Sequence, residues 1–372
     1  MPVDQRKCIV TRSTRSPQSV VSAVMLFALW CAASASATAQ VALPCIEGDL
    51  ACIVKAWKAS PVLSRSYWSS MLARPLAERV GPPSDELLVY LNLDNMGNPS
   101  FANRPRQTSV TPELRADFDR AFASLPPRVR KLLGPKLAGI FFVEDLGGTA
   151  LTTTSFGGRF RADVAFIVLD MQVLAKYTAN SWATWKENTP FRADANVKLD
   201  AIIEHADQDT RANAIRYILL HEIGHVLAIG ESFHPPWGNP MPTTNQVQTK
   251  YPFTWLSWRP QRESGRWVGA EDNVFDLRPK VAYYRTPQLG LADATSAYTM
   301  LANTPFPTLY AATNPFDDFA ESFVSYVHTE IDKRPWEIRL SRNGKLEVSV
   351  KSCWAEQRCA AKREMLRVWL GQ

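Results

Sequence analysis

The sequence has 372 residues, of which 46% are hydrophobic, 21% charged and 10% aromatic. This supplies enough apolar material for one large domain or a catalytic domain with a smaller companion, and it excludes disordered, collagen-like and coiled-coil proteins. The formal net charge of +6 raises the question of a nucleic-acid partner.

The first 39 residues have the pattern of a secretory signal peptide. Four basic residues lie within residues 1–19, an apolar run follows at Val20–Ala33, and Ala37 and Ala39 supply small residues for signal peptidase. The apolar run is shorter than the roughly 20 residues of a spanning helix. We therefore expect cleavage before Gln40, no stable membrane insertion, and a bacterial protein that is periplasmic or secreted. An uncleaved anchor is the alternative.

Loss of this leader also changes the charge. It removes four of the 42 basic residues and one of the 36 acidic residues, so 38 and 35 remain and the net charge falls to +3. Lys and Arg form no run in the remainder of the sequence. We therefore expect no nucleic-acid partner.

Four cysteines remain after residue 39, and they form two close pairs, Cys45 with Cys52 and Cys353 with Cys359. An even number of cysteines in close pairs favours two short-loop disulfides in an oxidising compartment. Pairing between the two ends of the chain is the alternative that the spacing leaves open.

In chain order, a helical region comes first, over residues 40–135. Within it, Thr111 stands at an N-cap position and Pro112 at the first position of a helix. Two runs rich in β-branched and aromatic residues follow, LAGIFFVEDL and then ADVAFIVLDM, with the Gly-rich stretch 147–158 between them. These runs predict strands. We expect the second, Ala162–Asp170, to be the sheet edge against which an extended peptide pairs.

The second half begins with an amphipathic stretch from Val197, which leads into an apolar helix over Arg211–Ile229, ended by Gly230. Residues 232–269 are rich in proline and tryptophan and poor in periodicity. So long a loop usually covers a functional site. Its tryptophans would either wall a cleft or form a small apolar core.

The last elements have clear local signals. Asn314-Pro315 predicts the start of a helix that runs to about Thr329. Asn343-Gly344 predicts the turn of a charged hairpin, which precedes the last cysteine pair.

The chemically informative segment is His221-Glu222-Ile223-Gly224-His225, inside the apolar helix. Residues four apart lie on the same helix face, so both imidazoles can reach one ion while Glu222 stands beside it. This is the HExxH zinc arrangement. Burying two histidines and a glutamate would be costly without a metal. We predict zinc bound by His221 and His225, with Glu222 as the general base.

A catalytic zinc site needs a third protein ligand. Glu231 lies six residues after His225, as in the metzincin pattern, although Ala228 occupies the position where that pattern has glycine. Glu321, on the helix that begins after Asn314, is the second candidate. Both candidates remain open on spacing.

HEIGH followed by the helical segment DDFAESF resembles the gluzincin branch of the zincin metallopeptidases. Within that branch it resembles in particular the catalytic domain of anthrax lethal factor and related secreted bacterial zinc peptidases. The resemblance implies an α+β, zincin-like domain over residues 136–372, in which a small mixed sheet packs on the HExxH helix. It further implies Glu321 as the third zinc ligand, Tyr310 as a residue that assists the transition state, and a peptide or protein substrate.

Three more residues near Glu321 are candidates for supporting roles. His328 lies seven residues later, on the same helix face, and is a second candidate donor to the developing oxyanion. Asp318, or with less reason Asp317, is placed to orient a ligand histidine. Helix capping alone also explains the two aspartates.

Together these features predict an exported zinc endopeptidase. A metzincin-like site that uses Glu231 is the alternative among enzymes. A catalytically idle, zinc-stabilised protein that binds at the cell surface or cell wall is the alternative from another class.

Overall fold

A computed structural model describes residues 41–99, 101–158, 162–236, 240–270 and 274–372. The predicted signal peptide, residues 1–39, lies outside these described residues. Within the described ranges, no helix has both the length and the apolar character needed to cross a membrane.

The described residues form an α+β fold, which confirms the predicted class. The helices are α1 (Leu50–Lys58), α2 (Ser69–Leu72), α3 (Asp85–Met96), α4 (Pro112–Ala123), α5 (Pro127–Leu133), α6 (Met171–Lys176), α7 (Ala179–Asn188), α8 (Arg211–Ala228), α9 (Thr244–Lys250), α10 (Pro252–Ser257), α11 (Ala294–Leu301), α12 (Pro315–Tyr326) and α13 (Ala360–Leu370). The strands are β1 (Val80–Gly81), β2 (Arg106–Gln107), β3 (Leu137–Glu144), β4 (Ala150–Phe156), β5 (Ala162–Asp170), β6 (Phe191–Arg192), β7 (Val197–Ile202), β8 (Trp258–Gln261), β9 (Arg266–Gly269), β10 (Leu289–Gly290), β11 (Glu337–Arg342) and β12 (Lys345–Lys351).

A five-stranded mixed sheet is the main scaffold, with the order β1-β3-β5-β4 and with β2 paired to β3. Strand β3 is parallel to β1 and β5, whereas β4 is antiparallel to β5. The prediction that β5 forms the sheet edge is therefore wrong, because β5 pairs on both sides. The edge next to β5 is β4, which lies in the stretch predicted as a Gly-rich connection. Its β-branched run Thr152–Thr154 favours an extended strand.

The N-terminal region is helical as predicted, and the Thr111 side chain caps α4 by accepting from the Leu114 amide. Its short strands β1 and β2 nevertheless join the main sheet. The Trp68 indole also donates to the Ser155 hydroxyl of β4 at 2.9 Å. These contacts make the N-terminal region part of the same compact unit as the sheet.

A second sheet has the order β12-β11-β7. The predicted hairpin is confirmed, with Asn343 and Gly344 both at positive φ in its turn, as a two-residue hairpin turn requires. The amphipathic stretch at Val197 is strand β7, in which buried and exposed side chains alternate. The disulfides Cys45–Cys52 and Cys353–Cys359 are formed as predicted.

Helices α8 and α12 lie against each other in the core. Thr210 caps α8 and Asn314 caps α12, both through side-chain oxygens that accept backbone amides. Gly224 permits their close approach, because a Cβ atom there would lie only 2.9 Å from Ala320 Cα. This packing brings the first turns of α12 to the HExxH segment of α8.

The proline- and tryptophan-rich segment 232–269 folds into α9, α10 and the β8-β9 hairpin, over its described residues. Trp258 is fully buried and donates from its indole to Asp318 of α12 at 3.1 Å. Lys362 of α13 contacts the same carboxylate at 2.5 Å. Asp318 thus fastens both the insertion and the C-terminal helix to α12.

Candidate metal centre

Three side chains from α8 and α12 converge at one point. His221 and His225 lie one turn apart on α8, and Asp317 lies in the first turn of α12. Asp317 Oδ1 is 3.7 Å from His221 Nε2 and 3.4 Å from His225 Nε2. One ligand atom from each residue lies within 4.8 Å of the others, so this group could hold a metal ion.

The geometry of this group fits a small divalent cation. Tetrahedral zinc with bonds of about 2.0–2.1 Å places its ligand atoms about 3.3 Å apart. The separations of 3.4 and 3.7 Å are close to that value. Two imidazole nitrogens and one carboxylate oxygen are also a donor set that zinc accepts.

The charges around His221 favour a cation at this position. Burial opposes protonation of His221, but hydrogen bonds to Asp317 and Glu321 outweigh burial and raise its pKa to about 10. Burial likewise opposes ionisation of Asp317, and its contacts with His221 and His225 nevertheless hold its pKa well below the usual range. A cation bound between the Nε2 atoms and Asp317 would satisfy the Asp317 carboxylate.

Glu321, the residue predicted as third ligand, is not among the three converging donors. Its Oε1 accepts a hydrogen bond from His221 Nδ1 at 2.9 Å, on the opposite side of the imidazole from Asp317. Lys186 Nζ donates to the same oxygen at 2.9 Å, and the Thr308 hydroxyl donates to Oε2 at 2.7 Å. Burial opposes ionisation of Glu321, yet Lys186 and then His221 lower its pKa to about 2. Glu321 is therefore placed to orient His221.

Glu222 lies beside this group and is largely buried. The Thr152 hydroxyl of β4 donates to Glu222 Oε2 at 2.6 Å. This bond fixes the carboxylate next to the edge strand. Glu222 thus lies next to the metal group, where the sequence predicts it. Its role as general base stays a prediction.

Tyr310 stacks on His221, with ring centroids 5.5 Å apart and planes inclined by 19°. The Lys186 ammonium lies 4.7 Å from the centre of the Tyr310 ring. Burial raises the pKa of Tyr310 well above its usual value, so its hydroxyl is a proton donor at neutral pH. Tyr310 thus lies beside the metal group, while its role in the transition state stays a prediction.

A cavity of about 210 Å³ opens onto His221, Glu222 and Tyr310. The beginning of β4 forms one wall, and Trp182 and Tyr284 contribute aromatic surface. Tyr284 has φ of +58°, a left-handed conformation that is uncommon for an aromatic residue. Residues of the edge strand β4 and the Glu222 carboxylate thus line the same cavity.

The structure places the remaining candidates elsewhere. Glu231 Oε1 forms an ion pair with Lys136 Nζ at 2.8 Å, beyond the end of α8, and it is not part of the metal group. His328 Nε2 donates to the carbonyl of Ile203 at 2.6 Å, so its imidazole is held in the core instead of serving as an oxyanion donor. Asp318 contacts Trp258 and Lys362, and it is Asp317 that approaches the histidines.

Sequence reasoning missed Lys186 and Thr152, and it ranked Asp317 behind Asp318. Lys186 belongs to an ordinary amphipathic helical stretch, and Thr152 to a polar run among glycines. Neither has a local motif. The sequence does predict the helix that carries Asp317, and the acidic residues in its first turn are the available signal.

Comparison with known proteins adds no further assignment. No family model, curated protein or solved structure matches the chain. The resemblance of HEIGH and DDFAESF to the gluzincins therefore stays a prediction.

Proposed function

We propose that the protein is a zinc-dependent endopeptidase. The observation that supports this most strongly is the position of Glu222. Its carboxylate adjoins the group formed by His221, His225 and Asp317, and it faces a cavity bounded by an edge strand. A metal group, an adjacent base and an edge for an extended peptide are the components that such a hydrolase needs.

Asp317 is the third zinc ligand in this proposal, and Glu321 supports His221 from behind. Both carboxylates lie on one face of α12 because they are four residues apart. Asp317 faces the Nε2 atoms of both histidines, whereas Glu321 accepts from Nδ1 of His221. A ligand histidine commonly donates its other ring N–H to a carboxylate in this way.

A bound zinc ion would polarise the substrate carbonyl and lower the pKa of a bound water to about 7. Glu222 accepts the proton of the attacking water and later donates it to the departing amine nitrogen. The Thr152 hydroxyl holds Glu222 Oε2, which leaves Oε1 to carry that proton. The Tyr310 hydroxyl donates to the carbonyl oxygen as negative charge develops there.

The substrate is an extended peptide that pairs with β4. Ala150 and Leu151, at the beginning of this strand, line the cavity beside Glu222. The far end of β4 is engaged by a bridge between Phe156 and Ser64, so the first half of the strand is the part offered to a peptide. Backbone hydrogen bonds to this edge would bind peptides with limited dependence on sequence.

The protein acts outside the cytoplasm in this proposal. Its two disulfides fit an oxidising compartment. The predicted leader over residues 1–39 would direct it to the periplasm or the medium.

The proposal is tested by metal analysis of the purified protein together with cleavage of a random peptide library. We expect one zinc per chain, peptide hydrolysis, and loss of hydrolysis after treatment with a chelator that is reversed by added zinc. Stoichiometric zinc without hydrolysis would contradict the proposal. That result would favour the catalytically idle, zinc-stabilised binding protein.

A further inference from the structure

Lys186 of α7 is a buried cation next to the metal group. Its Nζ atom lies 2.9 Å from Glu321 Oε1 and 3.5 Å from Glu187 Oε1, and all three side chains are at most 5% exposed. A lysine is seldom fully buried unless it is paired. Here it is paired with the carboxylate that contacts a proposed metal ligand, which makes its position informative.

The neighbouring Glu187 fixes the surroundings of this lysine. Glu187 Oε2 accepts hydrogen bonds from the hydroxyls of Tyr283 and Tyr298, both at 2.7 Å. Its other oxygen is thereby directed towards Lys186. The ammonium group is held between two carboxylates in one place, although its side chain is long and flexible.

The contact with Glu321 has a consequence for His221. A buried carboxylate oxygen needs a hydrogen-bond partner, and Lys186 Nζ supplies one to Glu321 Oε1 at 2.9 Å. The same oxygen accepts from His221 Nδ1 at 2.9 Å, so the position of the Lys186 ammonium sets the position of the acceptor that orients this imidazole. An imidazole that carries its proton on Nδ1 presents the lone pair of Nε2 to a metal.

We propose that Lys186 is a positioning residue of the metal centre. By holding Glu321 Oε1 in place against His221 Nδ1, it maintains the imidazole orientation in which Nε2 faces Asp317. This inference rests on the metal site of the proposed function and not on peptide hydrolysis. Lys186 acts only through Glu321.

The test is a double-mutant cycle on zinc affinity, measured by competition with a chromophoric chelator in the absence of substrate. Lys186→Met and Glu321→Gln are each expected to weaken zinc binding about 10- to 100-fold, as is typical for residues that support a ligand. The double variant should bind zinc no more weakly than Glu321→Gln alone, since both changes break one pathway. Unchanged affinity in Lys186→Met, or effects that multiply in the double variant, would overturn the proposal.

Lys362→Met is the matched control. Lys362 is also a fully buried lysine paired with an α12 carboxylate, Asp318, whose other oxygen accepts from the Trp258 indole. It should lower stability and leave the zinc affinity of the folded protein unchanged. An equal loss of zinc affinity in Lys362→Met and Lys186→Met would show that only general stability is at work, and the proposal would fail.

Two further variants keep the test decisive. Lys186→Arg retains the charge and should recover most of the zinc affinity, whereas failure to recover any would count against the proposal. If Lys186→Met does not fold, Lys186→Gln takes its place in the cycle with the same expected result. Because no readout uses peptide cleavage, a zinc-binding protein without peptidase activity would refute the proposed function and leave this test intact.

Discussion

Gly224→Ala is expected to weaken zinc binding while the protein still folds. Gly224 lies inside the HEIGH segment, where α8 contacts α12. A Cβ atom at this position would lie 2.9 Å from Ala320 Cα and 3.3 Å from Phe323 Cδ1. Non-bonded carbon atoms are normally about 3.5–4.0 Å apart. The nearest atom belongs to the backbone, so the two helices must separate by roughly 0.5–1 Å.

This separation acts directly on the metal group. His225 is carried by α8 and Asp317 by α12, and their ligand atoms are now 3.4 Å apart. Metal sites tolerate deviations of about 0.2 Å in their bond lengths. We therefore expect zinc affinity to fall at least about tenfold, which corresponds to about 1.4 kcal/mol. The metal-free protein should lose about 0–2 kcal/mol of stability and still fold, because an overpacking cost of about 1–3 kcal/mol is offset by about 1 kcal/mol of helix propensity.

The assay combines a chelator competition for zinc with urea unfolding of the metal-free protein. Gly134→Ala is the control, because Gly134 has helical backbone angles and the nearest atoms to its built Cβ lie at 3.9 Å. It should leave zinc affinity unchanged. Wild-type zinc affinity in Gly224→Ala would refute the reasoning, since the close helix contact would then have no part in setting the ligand geometry.

Three more predictions follow from individual contacts. Asp317→Asn should abolish stoichiometric zinc binding after dialysis, whereas Glu321→Gln should retain zinc with about 10- to 100-fold weaker affinity. Zinc retained by Asp317→Asn and lost by Glu321→Gln in metal analysis would make Glu321 the ligand. Thr152→Val should lower kcat/KM about tenfold at unchanged zinc affinity, because the base loses a charge-assisted hydrogen bond; steady-state kinetics on one peptide tests this, and unchanged kcat/KM would contradict it. His328 is kept neutral in the fold, since burial lowers its pKa to about 3, helped by the nearby arginines. Its unfolded form binds a proton below about pH 6.5, so stability is full above that pH and falls as the pH drops towards 3. His328→Gln should remove up to about 1.4 kcal/mol per pH unit from that slope in urea unfolding; parallel slopes would rule this out.

The parts of the fold that the sequence predicts well have short-range causes. The helix over Arg211–Ala228 follows from a continuous apolar run, and the hairpin turn from Asn343-Gly344. Strand β4 has no comparable signal, because its neighbours are glycines and only two of its seven residues are buried. Its position at the sheet edge depends on pairing with β5, which is a long-range property.

The candidate site also has one part with a short-range cause and one part that depends on long-range packing. His221, Glu222 and His225 share one helix turn, so their arrangement is set by local geometry. Sequence spacing does not distinguish Asp317 from Glu321 as the third ligand, because both lie on one face of α12. It depends on how α12 packs against α8.

No local sequence pattern identifies Lys186 as part of the site. It is separated from Glu321 by 135 residues. Two helices with unrelated sequence patterns must pack before a buried lysine can be recognised as a partner of the metal centre.

The most direct test of the proposed chemistry is peptide cleavage by Glu222→Gln, with zinc content measured on the same sample. Because Glu222 is the proposed base and contributes no ligand, the variant should retain one zinc per chain. Its kcat should fall by about 10²- to 10⁴-fold relative to the zinc-loaded wild type. Equal cleavage by the wild type and the variant would contradict the proposed chemistry.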